Sequence, residues 1–170
     1  PSPLRARLVA ALGTQGGAAQ VPTLLAALDG GVAESREAAL ALGRLGMKKL
    51  PEALAPTTLT ALVAQLRRVE PKPRQAAAFA LARIGATELS DAAYSDLSRR
   101  QVEDYDPVVR GFLTRALAAA ANTPERKLAL LRAGAADADV GVRVAAARSI
   151  SALGGPESAE IITKLLQDKD

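Results

Sequence analysis

Five positions, Arg5, Ser35, Arg74, Arg110 and Arg143, each open a run of small and aliphatic residues that closes in the same way. Seven residues on stand Leu12, Leu42, Leu81, Leu117 and Ile150. Six residues on stand Ala11, Ala41, Ala80, Ala116 and Ser149, and eleven residues on stand Gly16, Gly46, Gly85, Ala121 and Gly154. Self-similarity at fixed offsets marks an internal repeat and excludes most single-core folds. The closing positions are 30, 39, 36 and 33 residues apart, which gives each unit room for two ordinary helices and their turns.

Offsets three, six, seven and ten of each unit fall on one side of a 3.6-residue helix and are mostly Ala, Leu or Ile. Small residues at offset six let neighbouring helix axes approach closely. Start signals agree: Asp106 before Pro107, Thr123 before Pro124 and Ser90 before Asp91 have the form of helix N-caps, and the closing glycines offer left-handed exits. The pattern predicts helices over 3–14, 19–29, 33–45, 56–69, 72–84, 90–103, 107–120, 124–133, 140–153 and 156–168. Periodicity is weakest in "SDAAYSDLSRRQVEDYD". The only aromatics are Phe79, Phe112, Tyr94 and Tyr105, so the core must be aliphatic.

An acid, an apolar residue and Arg, followed by small residues, Leu and a final Gly, resembles the HEAT repeat, most closely the short HEAT-like units of bacterial phycobilin lyases. Departures are Ser35 in the arginine slot with Arg36 displaced by one, Ala121 for the closing Gly, and a longer connection around "MKKLPEALAPTT". The resemblance implies an all-α, right-handed α-solenoid of about five stacked antiparallel helix pairs, since one pair cannot bury its apolar face alone. The series begins with a second helix and ends with a first, so both end faces are expected to meet a further repeat or another molecule. The chain opens "PSPLRARL", without an initiator Met or a secretion or lipidation signal, and is read as a single HEAT-like domain, 1–170, cut from a longer protein.

Glu70, Asp106 and Asp139 stand four residues before Arg74, Arg110 and Arg143, which puts acid and base near one end of each second helix. The resemblance implies that these six residues form a structural ladder between repeats, in which bidentate pairs satisfy helix-end amides. Offsets one, five and nine point away from the packed face. They collect Arg36, Leu40, Arg44, Gln75, Phe79, Arg83, Arg115 and Arg148, and the resemblance puts them along one concave groove. Phe79 between arginines is the expected apolar anchor of a partner, with little part in folding.

Chemistry is hard to find in this chain. Cysteine and histidine are absent, which removes disulfides, imidazole bases and the usual zinc ligands. No nucleophile with a base, carboxylate pair in a cleft or phosphate loop is evident, and "GTQGG" reads as an inter-helix turn. Glu103, Asp104 and Asp106 lack the spacing of a calcium loop and sit beside a helix cap. No metal or cofactor is expected, and no enzyme. The uncharged run from Leu8 to Leu28 is interrupted by "GTQGG" and Pro22 and reads as two short amphipathic helices, not a membrane span.

Charge is uneven. Residues 1–85 hold 11 basic and 5 acidic residues, whereas 86–170 hold 11 basic and 13 acidic, so the halves carry +6 and −2. Lys48, Lys49, Arg67, Arg68 and Lys72 add to the excess between Arg36 and Arg83. The expectation is a non-enzymatic scaffold binding another protein, through an acidic or extended segment. Nucleic acid held by the basic region is the alternative, and the lyase resemblance adds help in bilin attachment as a third class. A cysteine-free chain is compatible with cytoplasm, the first expectation, and with periplasm.

Overall fold

The computed structural model describes residues 3–46, 54–85, 89–150 and 155–169. Ten α-helices and one short 3-10 turn account for most of these residues, and none of them is in a strand. The helices are α1 (Pro3–Gln15), α2 (Val21–Ala27), α3 (Val32–Gly46), α4 (Ala55–Gln65), α5 (Pro71–Ile84), α6 (Asp91–Glu103), α7 (Pro107–Ala120), α8 (Pro124–Ala135), α9 (Val140–Ile150) and α10 (Gly155–Leu166). Two departures from the expected bounds are large. The expected 19–29 helix begins as a 3-10 turn, Ala18–Gln20, and α4 stops four residues early at Gln65. Residues 151–153 of the expected ninth helix, Gly154, Lys48 and Lys49, and most of the long connection lie outside the described residues.

Local chemistry sets the boundaries. Ser90 Oγ accepts from Ala93 N–H at 3.2 Å, Asp106 Oδ1 from Val108 N–H at 3.0 Å and Thr123 Oγ1 from Arg126 N–H at 3.3 Å. Each satisfies an amide that a helix start leaves without a partner. Pro107 and Pro124 occupy first-turn positions where no N–H is needed. At the other end, Gly85 takes φ of 94°, the left-handed exit expected of a closing glycine. Gly16 and Gly46 have no positive φ.

The chain groups into two compact units, Pro1–Leu89 and Ser90–Asp170. In the first, α1, α3 and α5 stack in that order, with α2 against α3 and α4 against α5. In the second, α7 stacks on α9, α6 and α8 flank α7, and α10 covers α8 and α9. Both are built from helix pairs that meet through their second helices, the α-solenoid arrangement. The offset-seven residues Leu42, Leu81 and Leu117 are fully buried and Ile150 is nearly so. Truncating any of these to Ala would cost about 2 to 5 kcal/mol.

Close approach depends on a second small column. A Cβ on Gly13 would lie 2.5 Å from the Ala41 Cβ, and one on Gly43 would lie 3.0 Å from the Ala80 Cα. The two contacts are the same contact one repeat apart, offset eight against the next repeat's offset six. Helix α1 departs from the pattern: its buried residues are Ala6, Val9 and Gly13, whereas Leu8 and Ala11, on the expected inner face, are exposed. It has a stacking neighbour on one side only, α3, so only one flank is covered.

Candidate partner-binding surfaces

The arginines opening α7 and α9 have their carboxylates in the following repeat. Arg110 donates from Nε and Nη2 to Asp137 at 2.8 and 2.7 Å, and from Nη1 to the Asp104 carbonyl at 2.7 Å. Arg143 pairs with Asp168 through Nε and Nη2, and its Nη1 donates to the carbonyls of Asp137 and Ala138, each at 3.0 Å. Each guanidinium thus ties its own preceding turn to the next helix pair. Arg110 and Asp137 are only 14% and 9% exposed, so the pair is shielded enough to matter. Burial pushes the Asp137 carboxyl up, but the Arg110 hydrogen bonds, the Asp139 N–H and the Arg110 and Arg143 charges outweigh it and hold it below the usual carboxylate range. The Asp137 hydrogen bond raises the Arg110 guanidinium.

The links do run between repeats, but their carboxylates are Asp137 and Asp168 and not the acids expected to form the ladder. Asp106 and Asp139 act as caps: Asp106 accepts from Val108 N–H, and Asp139 Oδ1 accepts from Gly141 and Val142 N–H at 2.8 and 3.3 Å. An acid at the N-cap points back over the helix end, and an arginine one turn in reaches outward to the next repeat. Glu70 meets Arg68 at 3.5 Å, while Arg74 Nη1 donates to the carbonyls of Arg68 and Val69 at 3.3 and 3.2 Å. Asp104 Oδ1 is engaged with the Asp106 N–H. Among the described residues no three acidic side chains cluster closely enough to hold a metal ion, and no helix is long and apolar enough to cross a membrane.

Ser35 fills the arginine slot of α3 with a different solution. Its hydroxyl donates to Gln65 Oε1 at 3.0 Å, fully buried, and the missing guanidinium arrives from the next repeat. Arg68 Nη1 donates to the Leu28 carbonyl at 3.2 Å and Nη2 to the Gly30 carbonyl at 3.3 Å. These carbonyls precede α3 as the Arg110-bound carbonyl precedes α7. At the end of the series Arg5 meets Glu34 at 3.6 Å but is 71% exposed, which makes that contact weak.

The eight residues expected to line one groove fall into two sets. Arg36, Leu40, Arg44, Gln75, Phe79 and Arg83 lie on α3 and α5 in the first unit, and Arg115 and Arg148 lie on α7 and α9 in the second. Leu40, Arg44, Gln75, Phe79 and Arg83 are half-buried, and Arg36 is exposed and paired with Glu37. The Arg83 guanidinium lies 5.9 Å from the Phe79 ring centroid. That ring also covers Gly43, where an added Cβ would be 3.3 Å from Phe79 Cε1. Phe79 is therefore part of the α3–α5 packing, contrary to its expected detachment from folding.

Two concavities adjoin these sets. A groove of about 830 Å³ runs over α1, α3 and α5, lined by Arg7, Arg36, Glu37, Lys72 and Gln75 above small apolar side chains. A pocket of about 260 Å³ lies between α7 and α9, beside Phe112, Arg115 and Arg148. Arg7 and Lys72 fall outside offsets one, five and nine: Lys72 is expected in the basic region but not in the groove, and Arg7 in neither.

Residues 97–170 match the family model of HEAT repeats. The matched stretch runs from the middle of α6 through α10 and lies within the second unit. HEAT repeats generally mediate protein–protein interactions, typically without catalysis of their own. No curated protein matches the chain.

Proposed function

We propose that the chain is a non-enzymatic scaffold whose first unit binds an acidic, extended segment of a partner protein across α1, α3 and α5. The groove over these helices carries the reading. Arg7, Arg36 and Lys72 face one carboxylate, Glu37, which Arg36 already engages. The surplus charge therefore awaits an acidic ligand, and the small floor residues allow a backbone to approach. Phe79 and Arg83 lie one and two turns beyond Gln75 on α5, both half-buried, with the guanidinium 5.9 Å from the ring centroid.

The test is fluorescence polarisation of the full chain with a labelled peptide of alternating Glu and Leu, beside a labelled short duplex DNA, at two salt concentrations. Peptide binding with a shallow salt dependence supports the reading, and Arg7→Glu with Lys72→Glu should weaken it by about tenfold or more. Binding of DNA alone, with a log-log salt slope that scales with contacted phosphates, would replace it with the nucleic-acid reading. Unchanged peptide affinity in the double variant would remove the groove from the interface.

A further inference from the structure

We propose that the second unit carries a separate pocket for the C-terminal carboxylate of a partner chain whose last side chain is apolar. The site is the cavity of about 260 Å³ between α7 and α9, with Val108, Phe112 and Val144 as its apolar lining, Arg115 and Arg148 as its cations, and Asp139 among its other lining residues. Val108 and Val144 are 47% and 41% exposed, so the lining presents apolar surface to solvent. Its volume falls just under the ~300 Å³ at which pockets begin to enclose whole small ligands, a size suited to one side chain and its carboxylate.

The arginines decide the chemistry. Of the eight in this unit, six have carboxylate partners: Arg99 and Arg100 share Asp96, Arg110 has Asp137, Arg126 has Asp91, Arg132 has Glu160 and Arg143 has Asp168. Arg115 and Arg148 have no ion pair among the described residues, and both line this pocket. They stand five residues after Arg110 and Arg143, the same slot on two stacked helices, whose axes in such packing are ~8 to 10 Å apart. Two like charges side by side repel, and an anion bound by both relieves the repulsion through charge-assisted, bidentate bonds.

A chain terminus fits this arrangement better than an internal acidic residue. Neighbouring side chains of an extended segment point to opposite faces, so an apolar residue in the pocket directs the next acid away from it. Only at the last residue do side chain and carboxylate share one Cα. Asp139 sets the direction: it lies nine residues before Arg148, ~13 Å along the helix axis, and its Oδ1 is held by the Gly141 and Val142 amides. That acidic end repels a carboxylate, and the arginine end receives it.

The probe is N-acetyl-leucine, titrated into the isotopically labelled full chain and followed by amide NMR shifts. Shifts on α7 and α9 are expected, with a Kd of a few millimolar, the range for a ligand of about a dozen heavy atoms. N-acetyl-leucinamide, which lacks the charge, and N-acetylglycine, which lacks the side chain, should each bind at least about tenfold more weakly. Arg115→Gln with Arg148→Gln should lose the same factor while keeping spectral dispersion, and Arg148→Gln alone serves if the double variant unfolds. Equal binding of the amide would reduce the site to an apolar dimple, and equal binding of N-acetylglycine to a plain anion site. Shifts elsewhere, or none at tens of millimolar, would remove it. Arg7→Glu with Lys72→Glu, which disables the first-unit groove, should leave this titration unchanged.

Discussion

The two units stack the same kind of helix pair with different chemistry. In Ser90–Asp170 the links between repeats are ionic, Arg110 with Asp137 and Arg143 with Asp168. Between α3 and the following pair in Pro1–Leu89 the link is neutral, Ser35 with Gln65, and a cation from the next repeat, Arg68, binds the turn carbonyls. What the stack requires is a donor for the carbonyls before each second helix and a bridge to the next pair. Which repeat supplies the cation is free. The choice has a consequence for function: by these boundaries the first unit holds 11 basic and 6 acidic residues, the second 11 and 12. Acids pair with six of the eight arginines of the second unit, whereas the first unit keeps an excess of positive charge.

The most damaging test of this contrast is Arg110→Ala. It leaves a nearly buried Asp137 without its guanidinium and the Asp104 carbonyl without its donor. The expected loss is about 3 kcal/mol, read from denaturant midpoints. Hydrogen exchange should show the loss in α7 to α9, with α3 to α5 unaffected. A loss below about 0.5 kcal/mol, the size of an ordinary surface effect, would mean that the ionic links are ornamental and the contrast is empty.

Packing supplies the next test. Offset eight is Gly43 where α3 meets α5 and Ala118 where α7 meets α9, both buried. Gly43→Val pushes a branched side chain toward the Ala80 backbone and the Phe79 ring, at an expected cost of about 2 kcal/mol. Ala118→Gly removes a helix former from a tolerant site and should cost about 1 kcal/mol. No loss in Gly43→Val would show that the α3–α5 contact is not tight, and thermal melts of the two variants beside the parent chain decide it.

The fold was legible because its signals are local or periodic. Asp106, Pro107 and the apolar column ending in Leu117 bound α7 at the residues expected, Pro107–Ala120. Even α6, the least periodic segment, forms because Ser90 caps it and Asp96 pairs with Arg99 and Arg100 along its surface. The ladder partners were not legible in the same way. The acids expected as rungs include Asp106 and Asp139, which cap their own helices, and the carboxylate that meets Arg110 stands 27 residues on in the next repeat. A signal was nevertheless present. Asp29, Arg68, Asp104 and Asp137 stand six residues before Ser35, Arg74, Arg110 and Arg143, and the one position that reverses sign, Arg68, belongs to the repeat after the one arginine slot that lost its charge, Ser35. The offset of Phe79 gives a direction on its own helix only and does not register that Gly43, on α3 in the preceding repeat, leaves room for its ring.

The smallest expected effect is also the one that separates the two chemistries most cleanly. Ser35→Ala removes one hydroxyl from Gln65, but Gln65 Oε1 keeps a donor in Arg68 Nη1 at 3.4 Å, so the loss should be no more than about 1 kcal/mol. No carboxylate takes part in the Ser35–Gln65 bond, so the loss should be the same at pH 7 and pH 4. The Arg110→Ala loss should behave otherwise. The folded Asp137 carboxyl titrates below its unfolded value, so its contribution is present above the unfolded value near 4 and disappears as pH falls through the folded one. The cost of Arg110→Ala should therefore shrink from about pH 4 downward while the cost of Ser35→Ala stays level. Denaturant titrations of both variants at a series of pH values test the pairing directly, and parallel curves would mean that Asp137 does not draw its low titration from Arg110.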